Sequence, residues 1–308
     1  MRFVGEKVIA AAIIVSVAFS GCVNSGKSKE ISQSTEALSY ESAKVSYLGP
    51  KGTYTNEACE VFFENKGEYL PYETVNDAVQ ALNDGESDYA VIPQENTIGG
   101  AVIDYVDTLI ANTDVFVAGE VELTINQNLL ALPGTKVEDI KTVYSHKQGI
   151  AQGKAWMEKN LPEAEVIEAS STAEGAKIVS EGGDASCAAI ASAGCAEVYG
   201  LEVIAKNIQE NDNNKTRFYV LSKDDPAMQD GDRLAFIAAG PAEKLPELLS
   251  KLKDQKMKLV TIHDRPRKTV LGEYYYLIEC SDTSYEKYKK LAENDSFEFR
   301  YLGNFDTY

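Results

Sequence analysis

The feature that most limits what this 308-residue chain can fold into is a recurrence at an offset of 98. Val45 falls on Val143, Thr74 on Thr172, Ala78 on Ala176, Gly85 on Gly183, Ala90 on Ala188 and Ile92 on Ile190. Identity is sparse, but the order of local signals repeats: strand, loop, helix, capped helix, glycine, buried strand. In the first copy, 45–48 reads as a strand and Gly49–Thr55 as a glycine-rich turn into a helix near 56–64. Thr74 and Asp77 have capping-box spacing, and the helix they open places Val75, Ala78, Val79 and Leu82 on one face. Gly85 ends that helix, and 89–93 is a buried strand. In the second copy Ser171 and Glu174 repeat the capping box. The spacing predicts two similar α/β lobes, about 45–120 plus 205–223 and about 121–204. They cross near Val121–Thr124 and again near Ile204–Ile208. A cleft between lobes is a preferred ligand site. Here the loops Gly49–Thr55, Glu95–Thr97, Ser145–Gln152 and Ser171–Thr172 are expected to line it.

From Arg233 the rhythm changes. Strands at 234–239, 259–262, 274–280 and 297–302 alternate with helices at 243–253 and 285–293 in the order βαββαβ, which is ferredoxin-like. This reads as a separate domain over 232–308, joined to a 45–223 domain by the acidic, Pro-containing stretch 224–232.

The formal net charge of −18 argues against nucleic acid or an anionic membrane surface as a partner. Against that field, Asn214-Lys215-Thr216-Arg217-Phe218 stands out: a hydroxyl between two cations at the entrance of an apolar strand. A guanidinium can hold a carboxylate through two parallel hydrogen bonds, so an anionic small molecule is the expected ligand, with Lys215 and Arg217 holding or steering it. At the other end of the chain, Arg2 and Lys7 precede an uncharged apolar run of thirteen residues, 8–20, too short to span a bilayer. The run ends Phe19-Ser20-Gly21-Cys22, which resembles a bacterial lipoprotein signal, with Phe19 where Leu is usual. Residues 1–21 are then expected to be removed and Cys22 lipidated, this lipid being the only membrane contact of an exported protein. Residues 22–44 read as a flexible tether. Cys59, Cys187, Cys195 and Cys280 are scattered without metal-ligand spacing, so no metal is expected, and no disulfide pair is singled out.

Several motifs in order resemble the prephenate dehydratases: Gly49-Pro-Lys-Gly-Thr-Tyr54, Ile92-Pro-Gln-Glu-Asn-Thr97, Ser145-His-Lys-Gln148 with Gln152, Ser171-Thr-Ala173, Tyr199-Gly-Leu201 and Asn214-x-Thr-Arg-Phe218. The C-terminal unit resembles their ACT regulatory domain. The resemblance implies a two-lobed catalytic domain like the periplasmic binding proteins. It also implies conversion of prephenate to phenylpyruvate with loss of CO2 and water, without a cofactor. Thr216 maps to the essential threonine. Thr53, Glu95, Asn96, Thr97, Ser145, Gln152, Ser171, Thr172, Arg217 and Phe218 map to substrate positions. His146 is a cleft candidate.

There are departures. Gln94 stands where the family has Ile, Thr97 for Ser, Gln127 for His, Lys147 for Pro and Gly153 for Cys. In the regulatory part, Glu243-Lys244-Leu245 replaces Gly-Ala-Leu and His263-Asp264-Arg265-Pro266 replaces Glu-Ser-Arg-Pro. A homodimer or homotetramer is expected, built on faces that include Leu234, Phe236, Leu248, Leu252, Leu259, Tyr276 and Ile278, and unresponsive to phenylalanine. The same residues also suit arogenate, or a lipid-anchored solute-binding protein that kept the cleft and lost activity.

Overall fold

The computed structural model describes residues 40–225, 231–293 and 296–308. The expected signal segment, Cys22 and the tether up to residue 39 lie outside them. In the first lobe the chain runs β1 (Lys44–Leu48), α1 (Tyr54–Phe62), β2 (Glu68–Tyr72), α2 (Val75–Asn83), β3 (Tyr89–Asn96), β4 (Gly100–Ala101), α3 (Ile103–Ala111) and β5 (Phe116–Thr124). The second lobe holds β6 (Asn128–Ala131), β7 (Thr142–Ser145), α4 (Lys147–Gln152), α5 (Lys154–Asn160), β8 (Glu165–Glu168), α6 (Thr172–Gly182), β9 (Cys187–Ala191), α7 (Ala193–Tyr199) and β10 (Glu202–Ala205). The return strand β11 (Lys215–Ser222) precedes β12 (Arg233–Pro241), α8 (Leu245–Asp254), β13 (Lys258–Pro266), β14 (Glu273–Ser281), α9 (Tyr285–Ala292) and β15 (Glu298–Phe305).

The recurrence in the sequence becomes a recurrence of sheets. One sheet has the order β2-β1-β3-β11-β5, the other β8-β7-β9-β6-β10. In each sheet the strand that follows a crossing is inserted beside an earlier or later one: β6 enters between β9 and β10, and β11 between β3 and β5. Both inserted strands run antiparallel to their neighbours. Because β5 reaches Thr124 within the first sheet, the first crossing falls at 125–127, beyond the expected 121–124. The return falls at 206–214, after β10 has completed the second sheet. A strand that extends the sheet of one lobe to its edge looks in sequence like one that leaves it. The described fold also begins within the stretch expected to be tether. Tyr40 packs against Phe62, Phe63 and Tyr89, and Ala43 is buried, so the ordered fold already includes 40–44. Averaging over a Ser/Lys/Glu-rich window hid two apolar anchors.

The C-terminal sheet has the order β13-β14-β12-β15 and two helices, the ferredoxin-like topology. It is less separate than the sequence suggests. Alternation along β12 sends Leu234, Phe236 and Ala238 into a core with Leu248, Leu252, Tyr276, Ile278 and Leu291. The intervening Ala235 and Ile237 pack with Leu277, Leu302 and Phe305 against Val79, Leu82, Tyr105, Leu109 and Tyr219 of the first lobe. A strand apolar on both faces is buried on both. Six of the seven residues expected on an oligomer face are therefore spent in this domain's own core; only Leu259, on edge strand β13, is exposed. The chain's last residues also join the first lobe, with backbone hydrogen bonds between Glu120 and Glu122 of β5 and Asp306 and Tyr308. The cysteines at 59, 187, 195 and 280 are free.

Candidate active site

β3 and β11 pair with Thr216 opposite Asn96 and Arg217 opposite Glu95. Period-2 alternation puts the first pair on the cleft side and the second on the reverse side. The Asn96 amide is oriented by its surroundings. Its Oδ1 accepts from the backbone N–H groups of Ile98 (3.0 Å) and Gly99 (2.8 Å). Its Nδ2 must then face the other way, where it donates to Asn214 Oδ1 (2.8 Å) and Thr216 Oγ1 (2.9 Å). A hydroxyl that accepts at oxygen keeps its own proton for donation, and accepting makes that proton a better one to give.

The cleft that Thr216 faces has a volume of about 470 Å³ and draws on both lobes. The first lobe contributes Thr53, Tyr54, Thr55, Asn96, Thr216 and Phe218; the second contributes His146, Gln148, Gln152, Ser171 and Thr172. Two helix N-termini reach it. Thr53 caps α1 by accepting from the N–H of Asn56, and Ser171 caps α6 by accepting from that of Glu174. Such ends present free N–H groups and the positive end of the helix dipole. Gln127, which lies on the crossing strap, lines the cleft and donates to Gln152 Oε1 (2.9 Å). Gly149 lies so close to Ser145 that a Cβ would sit 2.5 Å from its Oγ, so a side chain there would displace α4. The lining residues include neither Lys nor Arg. Burial, then the neighbouring Lys147, lowers the pKa of His146, whose Nδ1 accepts from the N–H of Gln148, so the ring favours its neutral form.

The expected site residues thus divide. Thr53, Asn96, Gln152, Ser171, Thr172, Thr216 and Phe218 line the cleft. Four others do not. Arg217 points to the reverse face, where its guanidinium meets Glu95 (2.6 Å), Glu120 (3.2 Å) and Glu279 (2.9 Å). Adjacent residues on a strand face opposite ways, so Thr216 and Arg217 cannot share a ligand. Glu95 leaves with it, as the cross-strand partner. Ser145 is fully buried and donates to the carbonyl of Ile190 (2.7 Å), serving the second sheet. Thr97 exchanges hydrogen bonds with the Lys215 backbone (both 3.1 Å) and fastens the strand ends. Lys215 pairs with Glu122. Gln148, within the loop expected to line the cleft, and Gln127, which the sequence offers only as a departure from the family motif, are further cleft residues.

In the C-terminal domain, Glu243 and Lys244 lie in a 3-10 turn ahead of α8, where Lys244 pairs with Glu247 (2.8 Å) and Leu245 packs at the core's edge. On β13, which contains Asp264 and Pro266, His263 contacts Thr261 and stands edge-on to Tyr105. Arg265 forms a two-pronged pair with Asp107 of α3 (2.5 and 2.7 Å).

Comparison with known proteins agrees with this geometry. The prephenate dehydratase family model matches residues 45–226. A prephenate dehydratase of Lactococcus lactis subsp. cremoris is 33% identical over 277 residues, covering 86% of this chain and 98% of that one. A bifunctional chorismate mutase/prephenate dehydratase of Aquifex aeolicus is 35% identical, covering 85% of this chain and 73% of that one. Among solved structures, prephenate dehydratase in complex with L-Phe from Arthrobacter aurescens gives a TM-score of 0.76 at 27% identity, covering 86% of this chain and 90% of that one. GqqA, described as a novel type of quorum quenching acylase, also gives 0.76 at 22% identity, covering 86% and 98%, which is a likeness of fold alone. With its cleft threonine held by a conjugate asparagine on a shared strand pair, and with these matches across most of its length, the chain belongs to the prephenate dehydratase family.

Proposed function

We propose that the protein is a prephenate dehydratase, converting prephenate to phenylpyruvate, CO2 and water. The observation that carries this is the Thr216 hydroxyl, turned into a two-lobed cleft with its oxygen accepting from Asn96. Prephenate is a dianion with a ring hydroxyl para to the ring carboxylate. Breaking the ring C–O bond sends its electron pair to the leaving oxygen, and breaking the ring C–carboxylate bond returns a pair to the aromatic system. The balance is prephenate dianion plus one proton to phenylpyruvate anion, CO2 and water. Thr216 donates its hydrogen bond to the departing oxygen, where negative charge develops. A threonine is too weak an acid to deliver the proton ahead of bond breaking, so transfer is concerted and the proton consumed comes from solvent. The N-termini of α1 and α6, with Thr53, Ser171 and Thr172, suit the carboxylates. Purified protein incubated with prephenate should give phenylpyruvate absorbance in base; no product at high enzyme concentration overturns the assignment. Arogenate, offered in parallel, separates the two substrates.

The C-terminal sheet packed on the first lobe favours the enzyme over a plain solute-binding protein, which has no use for such a regulatory-type domain. We read that sheet as a degenerate ACT domain that does not respond to phenylalanine, Glu243 placing a carboxylate where the ligand's own would lie. Saturable heat of phenylalanine binding together with inhibition would reverse this. We read Cys22 as a lipidation site of an exported protein, so Cys22→Ser should move the protein from membrane to soluble fractions; unchanged partition refutes it. A homodimer or homotetramer is expected to be visible by light scattering.

A further inference from the structure

The reverse face of the β3–β11 pair carries a buried charge cluster that the dehydration itself does not touch. Its centre is Glu279 of β14, a fully buried residue of the C-terminal sheet. Its carboxylate accepts from Gln94 Nε2 (2.9 Å), Tyr219 Oη (2.7 Å) and Arg217 Nη1 (2.9 Å), and lies 3.2 Å from Arg233 Nε. All three hydrogen-bond donors sit on β3 and β11, the strands that carry Asn96 and Thr216. Tyr105 of α3 and His263 of β13 border the same cluster.

The register shows what Glu279 holds. Thr216 faces Asn96 and Arg217 faces Glu95, but Phe218 faces Pro93. Gln94 is skipped: it is the extra residue of a β-bulge, and bulges re-aim the side chains beside them. The bulge separates the Asn96–Thr216 pair from the regular ladder below, so it decides where that pair stands over the cleft floor. Gln94 is fixed at both ends, its carbonyl accepting from the N–H of Val102 (2.9 Å) and its amide donating to Glu279. On the other strand, Arg217 is fixed by the same carboxylate one residue from Thr216. Gln94 is also a departure from the family motif, which has an apolar residue there and no side chain able to reach a carboxylate.

We propose that Glu279 is a positioning residue for the Asn96–Thr216 pair, acting through Gln94 and Arg217, so that the cleft of the catalytic lobes is set partly from the C-terminal sheet. This rests on the dehydratase reading of the cleft. A buried carboxylate bonded by donors on two strands is a stiff, charge-assisted link. With glutamine in its place the charge and one of the two acceptor oxygens are lost, so these donors no longer share an acceptor and the bulge is free to slide back toward regular pairing.

The test uses the full-length protein with Glu279→Gln, and separately Gln94→Leu, which removes only the amide of the link. Since small misplacements of reacting groups carry large rate penalties, Glu279→Gln should lower kcat about tenfold with KM within about twofold, and Gln94→Leu should lower kcat a few-fold. Backbone amides over 94–99 and 214–218 should exchange with deuterium about tenfold faster in both variants, an effect of local opening. Wild-type kcat and wild-type exchange in either folded variant overturn the proposal, as does a change confined to KM. If Glu279→Gln does not fold, Gln94→Leu decides alone. Wild-type turnover of prephenate tests the dehydratase reading by itself, whereas the exchange comparison needs no substrate, so the two failures are told apart.

Discussion

On the cleft face of β3 and β11 the paired residues are Asn96 and Thr216, both uncharged. One step along, toward the C-terminal sheet, they are Glu95 and Arg217, joined at 2.6 Å and continued by Glu120 and Glu279. The two faces of one strand pair have been given opposite electrostatic tasks. In a decarboxylation the ring carboxylate is charged at the start and neutral CO2 at the end. A cation beside it would hold the starting state more tightly than the transition state and slow the reaction. A cleft lined by hydroxyls, amides and helix ends can orient the carboxylate without that penalty, and it stabilises charge where charge appears, on the leaving oxygen. Arginine is useful only where it cannot reach the substrate.

The sharpest way to break this comparison is to move the charge. Arg217→Met leaves the fully buried carboxylates of Glu120 and Glu279 without this cation, and removing one partner of a buried ion pair costs about 3–5 kcal/mol. The expected result is a large fall in the denaturation midpoint in urea. A normal midpoint with a much raised KM would put Arg217 back among the substrate ligands. Burial opposes the Arg217 charge, but the carboxylates of Glu279 and Glu120 and the hydrogen bond to Glu95 hold its pKa above the ordinary value. The cation is therefore present throughout any accessible pH range.

On the opposite face, Thr216→Ala removes one donor to the developing oxyanion. Such donors are worth ~10²-fold or more in kcat, with a small change in KM. The fold should be unharmed, because the hydroxyl accepts one bond from Asn96, which keeps Asn214 as a second acceptor. Near-normal kcat would make Thr216 structural.

Most of the architecture was legible because it follows from local signals: capping residues, helical periodicity and glycines repeated at a fixed offset. Thr216, Asn96, Gln152, Ser171 and Thr172 were legible as motif positions because each lies at or next to the end of a strand or helix. Arg217 was misplaced for a reason the sequence itself contained. If Phe218 and Val220 turn inward on one face, Thr216 shares that face and Arg217 does not. The attraction of a guanidinium for a carboxylate outweighed the period. Ser145 was misread because a hydroxyl at a strand end can serve ligand or backbone equally, and only the position of the Ile190 carbonyl decides. The Glu279 cluster joins residues 94, 217 and 279 through tertiary contact and a bulge, and no periodicity marks either.

The remaining prediction concerns pH and has the smallest effect over any single pH unit. Glu120, on β5, is fully buried, and its carboxyl is pushed up to about 8, first by burial and then by the charge of Glu279, against the pull of Arg217 and Arg233. Its acquisition of a proton leaves two guanidiniums facing two carboxylates, a balanced cluster. The unfolded chain gives up that proton near the ordinary glutamate value of about 4.3. Between about 4.3 and 8 the folded state binds more protons than the unfolded one, so stability from this group is complete below that window and is lost as pH rises through it. The slope is at most about 1.4 kcal/mol per pH unit. Glu120→Gln has the shape of the protonated acid and does not titrate. Measured by urea unfolding, it should match wild type near pH 4 and become progressively more stable than wild type toward pH 8. A difference that stays constant with pH would mean that Glu120 is ionised in the fold, leaving the reverse face with one carboxylate more than its two arginines balance.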